Sequence, residues 1–353
     1  MNTRSRIVSF ACLSVLFALT CAFAQAQGNH FNSKGNILIS DQFNNRVIEV
    51  NPLNHKIVWH FGDGSSTAGP HSVVAPNDAQ RVGRLTLIAG TGAPAGSEPN
   101  CQQQACQDNR VILVDPQGKI VWQYGKTGKP GAGFDELNAP VQNTWLPNRH
   151  VLITDQANAR VIEVSLDKHI VWQYGMTGNP GSGFNQVNNP NSAELLANKH
   201  VLIADESNNR VIEVDRKMNV VWSYGSVNGD QLNGPAFASR LSNGHTLIAD
   251  SNNNRIVEVD MSGNVVFTFY TNTRQGSVSM PIPTRAVRLK NGNTLISDQF
   301  NHQVIEIDPN MSIVFAQGQI AVPGNGFNML NAPYDAKVVG DYTGLTPPFS
   351  HRH

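Results

Sequence analysis

Charge is scarce and balanced in this chain of 353 residues. Lys and Arg together number 26, as do Asp and Glu, and all four make up 15% of the residues. There is no basic stripe and no run of like charge, so nucleic acid and other polyanions are not expected as partners. Long apolar runs are missing after the first 26 residues. Nothing later approaches the ~20 apolar residues of a spanning helix. Cysteine is rare: of four, Cys12 and Cys21 fall in the N-terminal segment, leaving Cys101 and Cys106. With no further Cys or His beside them they do not make a zinc site. Their C-x4-C spacing is not the C-x-x-C of a thiol redox motif. Helical periodicity is absent. So are the G-x-S-x-G elbow, H-E-x-x-H and a glycine loop opening a helix for phosphate.

What is present begins with a targeting segment. Arg4 and Arg6 precede IVSFACLSVLFALTCAFA, which runs into Ala22-Phe23-Ala24-Gln25-Ala26. This predicts a secretory signal over 1–26, with cleavage at the small-residue pattern. A membrane anchor is the alternative, against which the run is short. Lipid attachment at Cys21 is a second, for which Ala18-Leu19-Thr20 is a poor match. The mature chain, 27–353, is then expected to be secreted or periplasmic, monomeric and without a membrane span. In an oxidising compartment Cys101 and Cys106 most simply form a disulfide.

The dominant feature is a repeat. DQFNNRVIEV begins at Asp41, DQANARVIEV at Asp155, DESNNRVIEV at Asp205, DSNNNRIVEV at Asp250 and DQFNHQVIEI at Asp298. A sixth, degenerate unit lies between the first two, with RLTLIAG at 84–90 and NRVILVD at 109–115. Gly90 stands in it where the others have Asp. Each unit reads as four short Val- and Ile-rich strands bounded by Gly, Asn, Asp and Pro. Four strands every 45–50 residues predict propeller blades. The expected fold is an all-β, six-bladed β-propeller in one domain. Its blades are 33–62 with 333–339, 76–125 with an insertion at 90–107, 140–175, 190–225, 235–270 and 283–318. The first strands all begin at proline, and PYDAKVV at 333–339 is the sixth of them. The chain therefore starts on a second strand and ends on a first, so the C-terminal strand should complete the first blade and close the ring.

The connectors GKTGKPGAGFDELNAP, GMTGNPGSGFNQVNNP and GQIAVPGNGFNMLNAP, together with the Asp-…-Asn-x-Arg phrase, resemble the NHL-repeat β-propellers across nearly the whole mature chain. A looser similarity runs to propellers with LxNGNxLIxD repeats and a Trp in the last strand, among them quinone-cofactor dehydrogenases and arylsulfotransferases. The NHL resemblance implies a non-enzymatic scaffold that binds a protein, a carbohydrate or a small polar ligand, with Ca²⁺ the one candidate cofactor. The alternative it carries is an enzyme of the propeller kind: a Ca²⁺-type hydrolase or lactonase, or a lyase, working at the channel mouth. The zinc lyase's inner histidines have no counterparts on the first strands here. The paired cysteines of the quinone enzymes are absent too.

What recurs in a repeat protein is scaffold, and candidate chemistry lies where the repeat breaks. The repeated Asp and Arg are expected to fasten a turn, since one substrate cannot touch five equivalent places. Trp59, Trp122, Trp172 and Trp222 are assigned to packing. His150, His200 and His245 hold one position in three successive units. Blade geometry keeps such positions too far apart for one Zn²⁺.

The breaks are three. Around the expected mouth stand Asn77, Asp78, Gln142, Asn143, Asn191, Arg285, Tyr334 and Asp335. Asp78, Asn143, Asn191 and Asp335 could offer oxygen ligands to Ca²⁺. The same groups could orient a polar ligand, or line a water-filled channel with an Asp–Arg pair. The stapled insertion 90–107 could be a lid or a simple decoration. His71, unique in its connector, could ligate, titrate or stand exposed.

Overall fold

The computed structural model describes residues 30–227 and 229–349. The expected signal over 1–26 lies outside them. Among the described residues there is no α-helix, and none is long and apolar enough to cross a membrane. Six four-stranded antiparallel sheets make the molecule. Their innermost strands are Pro333–Val338, Pro76–Val82, Pro140–Trp145, Pro190–Leu195, Pro235–Arg240 and Pro283–Arg288, in blade order from 1 to 6. In blade 1 the strand Pro333–Val338 pairs with Ile37–Asp41, placing Ile39 opposite Ala336 and Leu38 opposite Lys337. The ring closes as the order of the repeats requires. We call the end where the inner strands begin the upper face. The connectors between blades and the turns after the repeated Asp lie there.

The second strands explain the lack of strict alternation. Val151–Asp155, Val201–Asp205 and their equivalents are buried at every residue. Each is covered by the neighbouring blade on both faces, so both faces are apolar. Leu87 and Val111 of blade 2 pack with Ile153 and Ile162 of blade 3 in one such layer.

The repeated phrase is the fastener between blades. Asp155 Oδ1 accepts the Asn138 N–H of the incoming connector at 2.8 Å. Its Oδ2 accepts Asn158 Nδ2 at 2.8 Å and Arg160 Nε at 2.7 Å. The turn between is a short 3-10 segment, Gln156–Asn158, ended by Ala159 at φ 52°. Asp41, Asp205 and Asp250 make the same three bonds.

Both exceptions are repaired from nearby in the chain. In blade 6, where Gln303 replaces the arginine, Arg274 of the connector comes within 2.6 Å of Asp298 and also bonds Gln303. In blade 2, Asp108 takes the missing role. It sits 2.5 Å from Arg110 Nε and accepts the Val74 N–H at 2.7 Å. A Cβ on Gly90 would lie 2.5 Å from the Asp108 Cγ, so the glycine makes room for the substitute carboxylate.

The insertion is longer in strand than expected. Leu85–Ala93 and Cys106–Val114 extend the blade-2 hairpin as a ladder, with Ala93 opposite Cys106. Cys101 and Cys106 are disulfide-bonded. Cys101 and Ala93 pack on Val74, Ala75 and Ala68 of the first connector. Glu98 accepts Asn45 Nδ2 at 2.8 Å and the Ser66 hydroxyl at 2.9 Å. The insertion is thereby bolted to the joint between blades 1 and 2. A two-rung hairpin, Ser226–Val227 with Asp230–Gln231, replaces the PGxGF connector between blades 4 and 5.

Candidate functional site

An inner strand pairs on one side only, so its other edge faces the axis with free N–H groups. At four of the six prolines the side chain two residues on meets that need. Asp335 accepts the Ala79 N–H at 3.2 Å, Asp78 that of Asn143 at 3.3 Å, Gln142 that of Ala193 at 3.0 Å and Ser192 that of Ala238 at 3.2 Å. The polar ring expected at the mouth is thus a belt that stitches the inner strands of blades 1 to 5 in series.

Charge on this belt is internally matched. Lys337 Nζ lies 2.6 Å from Asp78 and 2.5 Å from Asp335. Arg285 lies 3.1 Å from Asp78 and 2.9 Å from Asp335, with its guanidinium 4.4 Å above the Phe237 ring. The Arg285 Nε–Asp335 Oδ1 contact is an ion pair whose angle does not make a hydrogen bond. Asp78, Asp335 and Arg285 are 0% exposed. Two carboxylates and two cations therefore fill the axis. Asp78, Asp335 and Arg285 face one another there rather than lining an open water-filled channel.

The four expected Ca²⁺ ligands are not brought to one shared centre. Lys337 stands between the two carboxylates, where an ion would have to sit. Asn143 Nδ2 bonds the Asp78 carbonyl rather than offering oxygen to a shared centre. Asn191 belongs to a different cluster. Among the described residues no three His, Cys, Asp or Glu side chains group as metal ligands. Lys337 is the residue that sequence reasoning missed. Its position two after Asp335 on the same strand face was the available signal.

Tyr334 caps the axis on the upper face. Its hydroxyl reaches across the ring to Asn191, accepting from Nδ2 at 2.8 Å. Burial pushes the phenol upward, and the Glu206 carboxylate does the same. Asn191 Nδ2 also donates to Glu206 at 2.8 Å. Burial raises the Glu206 carboxyl while that bond lowers it. On the other side Gln299 donates to Gln42 at 2.7 Å, and Gln42 to Asn77 at 2.8 Å. Glu206, Gln42 and Gln299 each follow the repeated Asp. That variable position in a constant phrase was legible but was not singled out. His71 is exposed on its connector.

The C-terminal residues close the lower end. The Thr346 N–H donates to Glu194 at 2.8 Å, and its hydroxyl accepts the Leu195 N–H at 2.9 Å. Gln80 donates to the Thr346 carbonyl at 3.3 Å. Tyr342 donates to the Arg81 carbonyl at 3.2 Å.

Around this end a second motif binds blade to blade. In blades 2, 5 and 6 an arginine five residues after the proline of the inner strand faces a threonine: Arg81 with Thr86, Arg240 with Thr246, Arg288 with Thr294. Each reaches the third-strand glutamate of the preceding blade, respectively Glu49, Glu213 and Glu258. Each lies over that blade's outer aromatic ring, Trp59, Trp222 or Phe267. The tryptophans are thus packing groups that also hold cations. His150, His200 and His245 each place Nδ1 2.7 Å from their own blade's glutamate, so they brace separate turns.

Burial sets how stability depends on pH. Asp78 is pushed up to about 6 by desolvation, against Lys337 and Arg285, with Asp335 adding to the rise. Asp298 also reaches about 6, from an ordinary 3.8, again through burial against the pull of Asn301 and Arg274. Asp41, Asp155, Asp205 and Asp250 shift the same way for the same first cause. A carboxyl raised in the folded state holds its proton longer there than in the unfolded chain. The stability Asp298 gives is full below 3.8 and is lost as pH rises through about 6. The melting temperature should therefore fall between about pH 4 and pH 6. Asp298→Asn should flatten that slope by the part due to this group, on the order of 3 kcal/mol across the window. Thermal melts of both proteins across the range check it, and a Tm that rises with pH would contradict it.

Fold and site together define the class, a six-bladed β-propeller with a filled axis. No family model matches the chain and no curated protein matches it. Among solved structures, a protein of unknown function from Bacteroides caccae is similar over 80% of this chain and 93% of its own, at 15% identity and a TM-score of 0.57. Virginiamycin B lyase from Staphylococcus aureus is similar over 74% and 76%, at 14% identity and 0.47. BamB from Moraxella catarrhalis is similar over 80% and 73%, at 14% identity and 0.40. At such identities the likeness is one of fold alone.

Proposed function

We propose that this chain is a non-enzymatic binding propeller, with an axis that is structural and a surface that does the work. One observation carries the reading: the charged groups on the axis are matched to one another and sealed from solvent. A hydrolase or lyase needs an acid, a base or a metal that meets its substrate. Asp78 and Asp335 are instead committed to Lys337, Arg285 and backbone N–H groups. The repeat phrase supports an NHL-like ancestry, in which a rigid ring presents loops to a protein, a carbohydrate or a small ligand. The A-x-A pattern near Ala24, together with the Cys101–Cys106 bond, supports an exported location.

Millimolar Ca²⁺ or another divalent ion should leave the melting temperature unchanged. A site filled at a hundred times its Kd would add about 2.7 kcal/mol, a shift of several degrees. A Ca²⁺-dependent rise that disappears in Asp78→Asn would overturn the reading and bring back the metal-dependent enzyme.

A further inference from the structure

Three blades lack the arginine–threonine rung, and what fills their gaps differs. Blade 3 has Trp145 opposite Val151, and the indole packs in the core shared with blade 2. Blade 1 has Val338 opposite Ile37, and a cavity of about 440 Å³ opens beside Val338 and Glu306. Blade 4 has Leu195 opposite Val201, and there the opening is largest, about 840 Å³. The missing guanidinium is replaced from the outer side. Arg216, in the turn before blade 4's outer strand, bonds Glu163 and stacks 4.6 Å over Trp172. Because it approaches from outside, the space that Arg81, Arg240 and Arg288 occupy elsewhere stays empty. Leu345 and its neighbours Gly344 to Pro347 form the remaining wall.

We propose that this cleft, which spans blades 3, 4 and 5, binds a small amphiphile with an apolar body and one anionic head, of which a medium-chain carboxylate is the simplest. This inference rests on the binding-propeller reading and names its site and ligand class. The volume lies in the ~300–1,000 Å³ range of small-molecule sites. Leu195, Leu196, Leu241 and Leu345 supply apolar walls. The polar groups set the sign of the head. The acceptors are already saturated: Glu163 takes Arg216, His150 and Asn148, and Glu194 takes Gln142 and Thr346. One donor is not. Lys199 is exposed on the same cleft, its ammonium unpaired among the described residues. A ligand here has to bring the acceptor, and the free ammonium of Lys199, beside the guanidiniums of Arg216 and Arg240, favours an anionic one.

The test is calorimetric titration of the full chain with decanoate, and with decanol and decyltrimethylammonium as neutral and cationic counterparts. Decanoate should saturate one site, with the other two binding roughly tenfold more weakly or worse. Lys199→Ala changes an exposed side chain and should weaken decanoate by about tenfold. Leu195→Arg with Val201→Thr restores the rung of blades 2, 5 and 6, fills the cleft, and should abolish binding while the melting temperature stays near that of the parent. The inference is overturned if decanoate fails to saturate, if decanol binds equally well, or if the filled variant keeps its affinity. A Ca²⁺ shift lost in Asp78→Asn would instead sink the binding-propeller reading, so the two failures are told apart.

Discussion

A chain ending at Ala332 should not fold cooperatively. Removing Pro333–Val338 takes away blade 1's inner strand and every rung it shares with Ile37–Asp41. Ile37 and Ile39, at most 1% exposed in the closed ring, lose their cover. Asp335 and Lys337 go too, leaving Asp78 and Arg285 with half their partners. A domain's whole margin is only ~5–15 kcal/mol, and each aliphatic side chain returned to water costs about 1.5–3 kcal/mol. The loss exceeds what the remaining blades can spare. A chain ending at Val339 keeps the strand and loses the closure made by Asp341, Tyr342, Leu345 and Thr346. It should stay folded with a lower denaturant midpoint. Circular dichroism and urea unfolding of the two truncations separate these outcomes. A cooperative transition in the shorter chain would mean that the ring is not sealed by this strand.

Lys337→Met should be the most damaging single substitution on the axis. It keeps the apolar stem and removes the ammonium between Asp78 and Asp335. Two buried carboxylates are then left to Arg285 alone. Breaking a buried ion pair from one side costs about 3–5 kcal/mol, because the orphaned charge stays desolvated. The deficit should shrink at pH 5, where a carboxyl can take a proton instead. Asp78→Asn added to Lys337→Met should recover part of it by removing one of the two uncompensated charges. Urea midpoints at two pH values, with the double variant alongside, check all three statements. A loss under about 1 kcal/mol would mean that the axial charges are solvated after all.

The propeller was legible because its evidence is periodic. Five near-identical phrases and six aligned prolines fix blade number, strand order and the offset that sends Pro333–Val338 home to blade 1. The axis was legible in membership and not in meaning. Asp78, Asp335, Arg285 and Gln142 were placed on one ring from their spacing after proline. Whether that ring holds solvent, a metal or its own counter-ions depends on side chains that arrive from elsewhere. Lys337 comes from the next inward position, and Phe237 supplies a platform that reads as plain core. The closing segment around Thr346 lies beyond the last repeat, where periodicity says nothing. Asp108 and Arg274 show the same limit. A fastener broken in the repeat was mended by residues outside the repeated register, and only three-dimensional proximity reveals such repairs.

The pairing of Pro333–Val338 with Ile37–Asp41 also orders events during synthesis. The first sheet to leave the ribosome is the last to be finished, because its missing member is made some three hundred residues later. Until then the nascent chain carries an open β edge able to recruit any passing strand. Such a protein completes its ring only once Pro333–Val338 has been made, and its exposure to misassembly lasts until then.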